Sequence, residues 1–186
     1  MIIGITGTDG AGKGVVVDYL VKEKGFAHYS ARALFIEEIA RQGIESNRSN
    51  MRIVANELRL KHVNDFLVRH YLDRVRKTGD KKVIIESLRA VAEAELLQKS
   101  GGVLIAVDAD QEVRFERVQK RRSDSDKVSF EEFAKHEALE MNDPDPHGMQ
   151  KEKVIEMADY TILNNGTLDD VYVQIEAILD KIQNHD

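Results

Sequence analysis

Five short apolar runs recur along the chain, and between them the apolar residues fall three and four apart. The runs are Ile2–Thr6, Ala27–Ser30, Lys82–Glu86, Val103–Asp108 and Tyr160–Asn164. The third and fourth hold β-branched blocks, Val83-Ile84-Ile85 and Val103-Leu104-Ile105-Ala106-Val107, bounded by polar residues or glycine. Such blocks predict strands covered on both faces. The stretches between them predict helices over Gly12–Lys24, Ala31–Gln42, Asn50–Lys77, Ala90–Lys99, Gln111–Arg121 and Leu168–Gln183. Gly25, Gly43, Gly79 and Gly101-Gly102 punctuate helix ends or turns. Strands that alternate with helices imply a parallel sheet with helices on both faces.

One segment breaks this rhythm. Residues 123–148 carry Asp124, Asp126, Glu131, Glu132, Glu137, Glu140, Asp143 and Asp145, together with both prolines of the chain. Ser129 and Glu132 have the spacing of a capping box at the start of a short helical pattern. The segment reads as a flap inserted between the fourth and fifth strands, either a solvated excursion or a cover that excludes water during a transfer reaction.

Composition narrows the classes without choosing among them. A length of 186 residues suits a single domain, 1–186. A net charge of −6, with no basic aromatic face, disfavours a nucleic-acid partner. No apolar run approaches a membrane span, and Met1-Ile2-Ile3-Gly4 has no basic leader, so no membrane partner and no signal peptide are expected. The absence of cysteine fits a reducing, cytoplasmic setting. The histidines show no metal-ligand spacing, and no nucleophile–base pair is evident.

The chemistry concentrates directly after the first strand, in Gly7-Thr8-Asp9-Gly10-Ala11-Gly12-Lys13-Gly14. Strand, glycine loop and helix together form a phosphate cradle. Glycines let several backbone N–H groups point at one anion, and the helix dipole adds to them. Lys13 brings a mobile charge to the terminal phosphates. Where such loops place Ser or Thr for magnesium, this one has Gly14, and Val15 follows.

Three further clusters fall at carboxyl ends of proposed strands or on the helix leading to the flap, the edge where such sheets bind ligands. Glu86-Ser87-Leu88-Arg89 supplies a carboxylate for magnesium through water and an arginine for a phosphate. His28-Tyr29-Ser30-Ala31-Arg32 opens a helix beside an arginine and suits a second anion, with Arg59 of the following long helix in reach of the same anion. Arg117 and Arg121 share one helix face and suit the charge that spreads over a phosphoryl group in flight.

On these residues the chain resembles the nucleoside monophosphate kinases of the P-loop kinase superfamily, and adenylate kinase most. The resemblance lies in Gly10 to Gly14, in His28-Tyr29-Ser30 with Leu34, in Glu86 to Arg89, and in the arginine helix Phe115 to Arg122. It implies a three-layer α/β/α P-loop kinase fold with a five-stranded parallel sheet and a short lid. It also implies ATP and Mg2+ as cofactors, and transfer of a γ-phosphoryl group to a nucleotide acceptor, AMP or a deoxynucleotide. By this resemblance Gly7, Thr8, Asp9, Gly10, Ala11, Gly12, Lys13, Gly14, Val15, Arg117, Asn165, Gly166 and Thr167 would hold ATP. Ser30, Arg32, Arg59, Glu86, Arg89 and Glu93 would line the acceptor site, with residues 31–77 as its helical region. Lys13, Arg117 and Arg121 would be catalytic, and Glu86 would hold the metal through water. The protein would be a monomer or small homo-oligomer.

The chain also departs from that pattern. Val15 replaces a threonine, Glu93 a glutamine, and no arginine follows Arg122, so Lys127, Lys135, Lys151 or Lys153 would have to serve the lid. Ala158-Asp159-Tyr160 and Asn164 to Leu168 are similar to dephospho-coenzyme-A kinase, the alternative activity. A regulator that binds ATP without transferring phosphate is the alternative of a different class.

Overall fold

Side-chain alternation along the central strands splits the core in two. The computed structural model describes residues 1–120, 129–145 and 147–184. Strand β1 (Ile2–Gly7) points Ile3 and Ile5 to one face, where they meet Val16, Val17 and Leu20 of α1 (Lys13–Lys24) and Val171, Ile175 and Ile178 of α9 (Leu168–Asn184). On the other face lie Val83 and Ile85 of β3 (Val83–Glu86) and Leu104 of β4 (Val103–Asp108). They pack on Leu67, Val68 and Tyr71 of α4 (Phe66–Thr78) and on Leu97 of α5 (Val91–Lys99). Gly4 lies on this second face because a Cβ there would come within 2.3 Å of Leu97. Burying such side chains contributes roughly 1.5–3 kcal/mol each, which fixes which face each helix covers.

With β2 (Ala27–Ser30) and β5 (Tyr160–Leu163) the sheet has the order β2-β3-β1-β4-β5, all parallel. Helices α2 (Ala31–Gln42), α3 (Arg48–His62) and α6 (Gln111–Lys120) follow strands or one another. Helices α7 (Phe130–Met141) and α8 (Lys151–Glu156) lie between β4 and β5 in the chain. Among the described residues no helix is long and apolar enough to cross a membrane.

One expectation needs correction. The single helix over Asn50–Lys77 is two helices, α3 and α4, broken at Val63 (φ 105°, ψ 157°). The apolar spacing continues across the break, but Ile53 and Val63 stay about half exposed, so they anchor no common face. Within the flap, α7 starts at the Ser129–Glu132 capping box that the sequence carries, and the short helix α8 follows beyond the flap.

A β-branched residue at positive φ is strained by roughly 1–3 kcal/mol. Val63→Gly is therefore expected to raise the melting temperature by a few degrees, because the relief exceeds the added chain entropy of glycine. A lower melting temperature in thermal unfolding would show that Val63 is not strained.

Candidate active site

The turn from β1 into α1 requires glycine for two different reasons of space. Gly7 has φ 131°, and a Cβ on it would stand 2.0 Å from the Val107 carbonyl oxygen. Gly12 has φ 93°, and its Cβ would stand 2.2 Å from the Asn164 side-chain nitrogen. Neighbouring elements pin the loop between them. Thr8 Oγ1 donates to Asp108 Oδ1 at 2.6 Å, Asn164 Nδ2 to the Ala11 carbonyl at 2.8 Å, and Arg114 Nη1 to the Asp9 carbonyl at 3.3 Å. The loop is thereby fixed at the amino end of α1, where the helix dipole and free N–H groups favour an anion.

Lys13 folds back over this loop, donating from Nζ to the carbonyls of Gly7 (3.1 Å) and Thr8 (2.7 Å). Burial pushes its pKa down to about 8; the charges of Asp9 and Glu86 oppose that drop, and those of Lys151 and Arg89 add to it. An ammonium held this way is stabilised by an arriving anion.

The carboxyl end of β3 brings the acceptor-side candidates to the same mouth. Ser30 of β2 and Glu86 of β3 are register partners, and His28 Nε2 lies 2.9 Å from Glu86 Oε2. Ser87 takes positive φ (72°), so the N–H groups of both Ser87 and Leu88 donate to the Ile5 carbonyl, and the chain turns over β1. That turn presents Arg89, whose guanidinium stands 3.9 Å from Asp9 and 3.5 Å from Glu140.

Glu93 is fully buried, and its Oε2 accepts from the Arg89 and Ala90 N–H groups. Arg59, also buried, lies 3.7 Å from the other carboxylate oxygen. Neither Arg59 Nε nor Glu93 Oε1 has a hydrogen-bond partner there, so the pair lies behind Arg89 with polar capacity unspent. Arg32 is exposed on the first turn of α2.

The arginine helix separates by residue. Arg117 Nη2 donates to Asn164 Oδ1 at 3.3 Å, and the same Asn164 side chain packs against Gly12. Asn165, Gly166 and Thr167 form the exposed turn after β5, where Asn165 bonds Asp110 and Thr167 bonds Asp170. Arg121 and Lys127 lie outside the described residues.

Of four charged groups that the fold brings to the loop, sequence reasoning missed Arg114 altogether and named Glu137, Glu140 and Lys151 without their partners. Arg114 is buried and forks onto Glu137 of α7 while donating to the Ala109 carbonyl at 2.7 Å. Lys151, 1% exposed, lies 2.9 Å from Glu140 and 3.2 Å from Asp9. The signal was present along α7, where Phe133, Glu137 and Glu140 share one helical face and all are buried. A carboxylate continuing an apolar line is a carboxylate with a buried partner.

The donor set fits a loosely held magnesium ion and not a protein cage. Among the described residues no three His, Asp or Glu side chains could hold a metal together. A Cβ on Gly14 would meet nothing within 4 Å, so the loop leaves open the space a hydroxyl would use. Glu86 is the register partner of Ile5 and so ends its strand at the same sheet edge as the loop. One carboxylate through water, with substrate phosphates, is how such sites commonly hold magnesium.

A five-stranded parallel sheet of this order, with a glycine loop after its central strand and a lysine over it, defines an α/β P-loop kinase fold. Residues 3–145 match the family described as an AAA domain. A UPF0200 protein of Methanosarcina barkeri is 30% identical over 171 residues, covering 90% of this chain and 88% of that one. The chain belongs to this AAA-domain family and to the UPF0200 proteins.

A UPF0200/UPF0201 protein of Archaeoglobus fulgidus is 32% identical over 186 residues, 97% of this chain, and the chain spans 55% of that relative's length. Among solved structures, TT1252 from Thermus thermophilus matches with a TM-score of 0.61 at 23% identity over 97% of each chain. A shikimate kinase from Bacteroides thetaiotaomicron matches with a TM-score of 0.59 at 15% identity over 98% of each. At such identities the structures carry the fold alone. The likeness is to P-loop kinases at large and not to adenylate kinase in particular.

Proposed function

We propose that the protein is a phosphotransferase that moves the γ-phosphoryl group of ATP to a nucleoside monophosphate, with AMP or a deoxynucleoside monophosphate as acceptor. The observation that carries this reading is that Arg89 reaches Asp9 of the loop over which Lys13 folds, with Glu86 at the end of the strand paired to β1. Lys13 would release its loop carbonyls and take the β- and γ-phosphates. Arg89 would hold the acceptor's phosphate, with Ser30 and Arg32 at the edge of the same side and Arg59 and Glu93 bracing it from behind. Arg117, beside Asn164, would serve the nucleotide end of ATP. Magnesium, held by Glu86 through water, would neutralise charge on the phosphates. No side chain need act as a nucleophile, because alignment and charge neutralisation do most of the work in such transfers. Residues 31–77 would form the acceptor side and 123–148 the cover.

Coupled assays with AMP, dCMP, dTMP and dephospho-coenzyme A test the reading. Product from a monophosphate supports it; product from dephospho-coenzyme A alone replaces the acceptor; tight ATP binding with no product from any acceptor makes the chain a regulator. Arg89→Ala is expected to raise the acceptor KM by about 10- to 100-fold and to change the ATP KM little, since one charge-assisted contact is lost on one side only. An equal rise in the ATP KM would merge the two sites.

A further inference from the structure

Lys151 is among the most deeply buried charges in the chain, and nothing in the proposed transfer uses it. Its ammonium stands 2.9 Å from Glu140 and 3.2 Å from Asp9, and the Arg89 guanidinium stands 3.5 Å and 3.9 Å from the same two carboxylates. Two cations and two anions thus alternate around a closed square at the rim of the phosphate loop. The two carboxylates differ in how they are held. Asp9 is part of the loop, whose backbone is tied through Thr8 to Asp108 and through its own carbonyl to Arg114. Glu140 comes from the last turn of α7, and only its side chain enters the square.

We infer that Glu140 is an internal anion: its carboxylate occupies, between Arg89 and Lys151, the position that the acceptor's phosphate takes, so that Lys151 is a phosphate-contacting residue. The inference rests on the reading of Arg89 as the acceptor-phosphate residue. Its physical reason is charge. An acceptor phosphate cannot share Arg89 with a carboxylate 3.5 Å away without repulsion, which is least screened on the side of buried Glu140 and Lys151. Once Glu140 withdraws, Arg89 and Lys151 face Asp9 alone, and the balanced square becomes a net cationic grip. The empty site stays neutral and ordered, and a substrate must displace an internal competitor to enter.

The test uses the full chain with its loop filled by the non-hydrolysable ATP analogue AMPPNP and magnesium, and inorganic phosphate as the probe, titrated by calorimetry. Glu140→Gln is expected to bind phosphate about tenfold tighter than the parent, since a charged competitor has gone. The double variant Glu140→Gln with Lys151→Met exchanges both members of the pair for neutral groups, so it keeps the buried charge in balance. It is expected to lose that gain and to fall about tenfold below the parent. Phosphate binding in Glu140→Gln no tighter than in the parent overturns the inference. So does a double variant that binds phosphate as well as the parent, which would make Lys151 a counter-ion only. These failures leave the kinase reading intact as long as the parent binds AMPPNP. A parent that does not bind AMPPNP at all overturns the kinase reading itself.

Discussion

Lys13→Met is expected to lower turnover by about two to three orders of magnitude or more while the fold stays intact, the scale seen when a preorganised charge at a transferring group is removed. The fold survives because Lys13 is not a support. Burial depresses its pKa to about 8, so the native state holds the Lys13 proton less firmly than the unfolded chain does. A depressed amine costs stability below its native pKa, and that cost is relieved as pH rises from about 8 towards the ordinary lysine value. The methionine variant should therefore melt no lower than the parent at pH 7 and lose the part of the stability gain that Lys13 contributes between those limits. A variant with parental turnover ends the kinase reading. A variant that melts well below the parent shows that the Lys13 bonds to Gly7 and Thr8 hold the loop together.

Arg114→Ala carries the largest expected effect on stability. Its guanidinium is buried, forks onto Glu137, and also ties the Asp9 and Ala109 carbonyls. Its loss leaves Glu137 buried with the Gln111 amide, donating at 2.9 Å, in place of a full cation. Stranding one member of such a pair costs about 3–5 kcal/mol, or on the order of 10 °C in melting temperature for a chain of this size. Because Arg114 reaches the Asp9 carbonyl, nucleotide affinity should fall with it. Replacing both Arg114 and Glu137 by methionine should recover most of the stability, since no charge is then left unpaired. A melting temperature within a couple of degrees of the parent in Arg114→Ala would show the pair to be ornamental.

The elements that positioned the loop were legible because their signals are local. A β-branched run such as Val83-Ile84-Ile85 reads as a buried strand whatever lies beside it, and the order of strand, glycine loop and helix carries its own reason. The helix break at Val63 was not legible, since the apolar spacing runs across it and the strained dihedral leaves no mark in composition. The acidic residues of 123–148 read as a solvated face for a different reason: Glu137 and Glu140 are charged, and charge by itself predicts exposure, yet both are buried.

The sequence by itself determined the alternation of strands and helices, the phosphate loop and the presence of a carboxylate and an arginine after the third strand. Only the tertiary structure decided which charges share the loop's rim, that Arg59 pairs with Glu93 out of solvent, and that Arg114 and Lys151 meet α7 carboxylates. Backbone conformation and apolar burial depend on neighbours a few residues apart. The burial of a charge depends on a partner that comes from elsewhere in the chain, Glu137 for Arg114 and Asp9 for Lys151, and no local pattern names that partner.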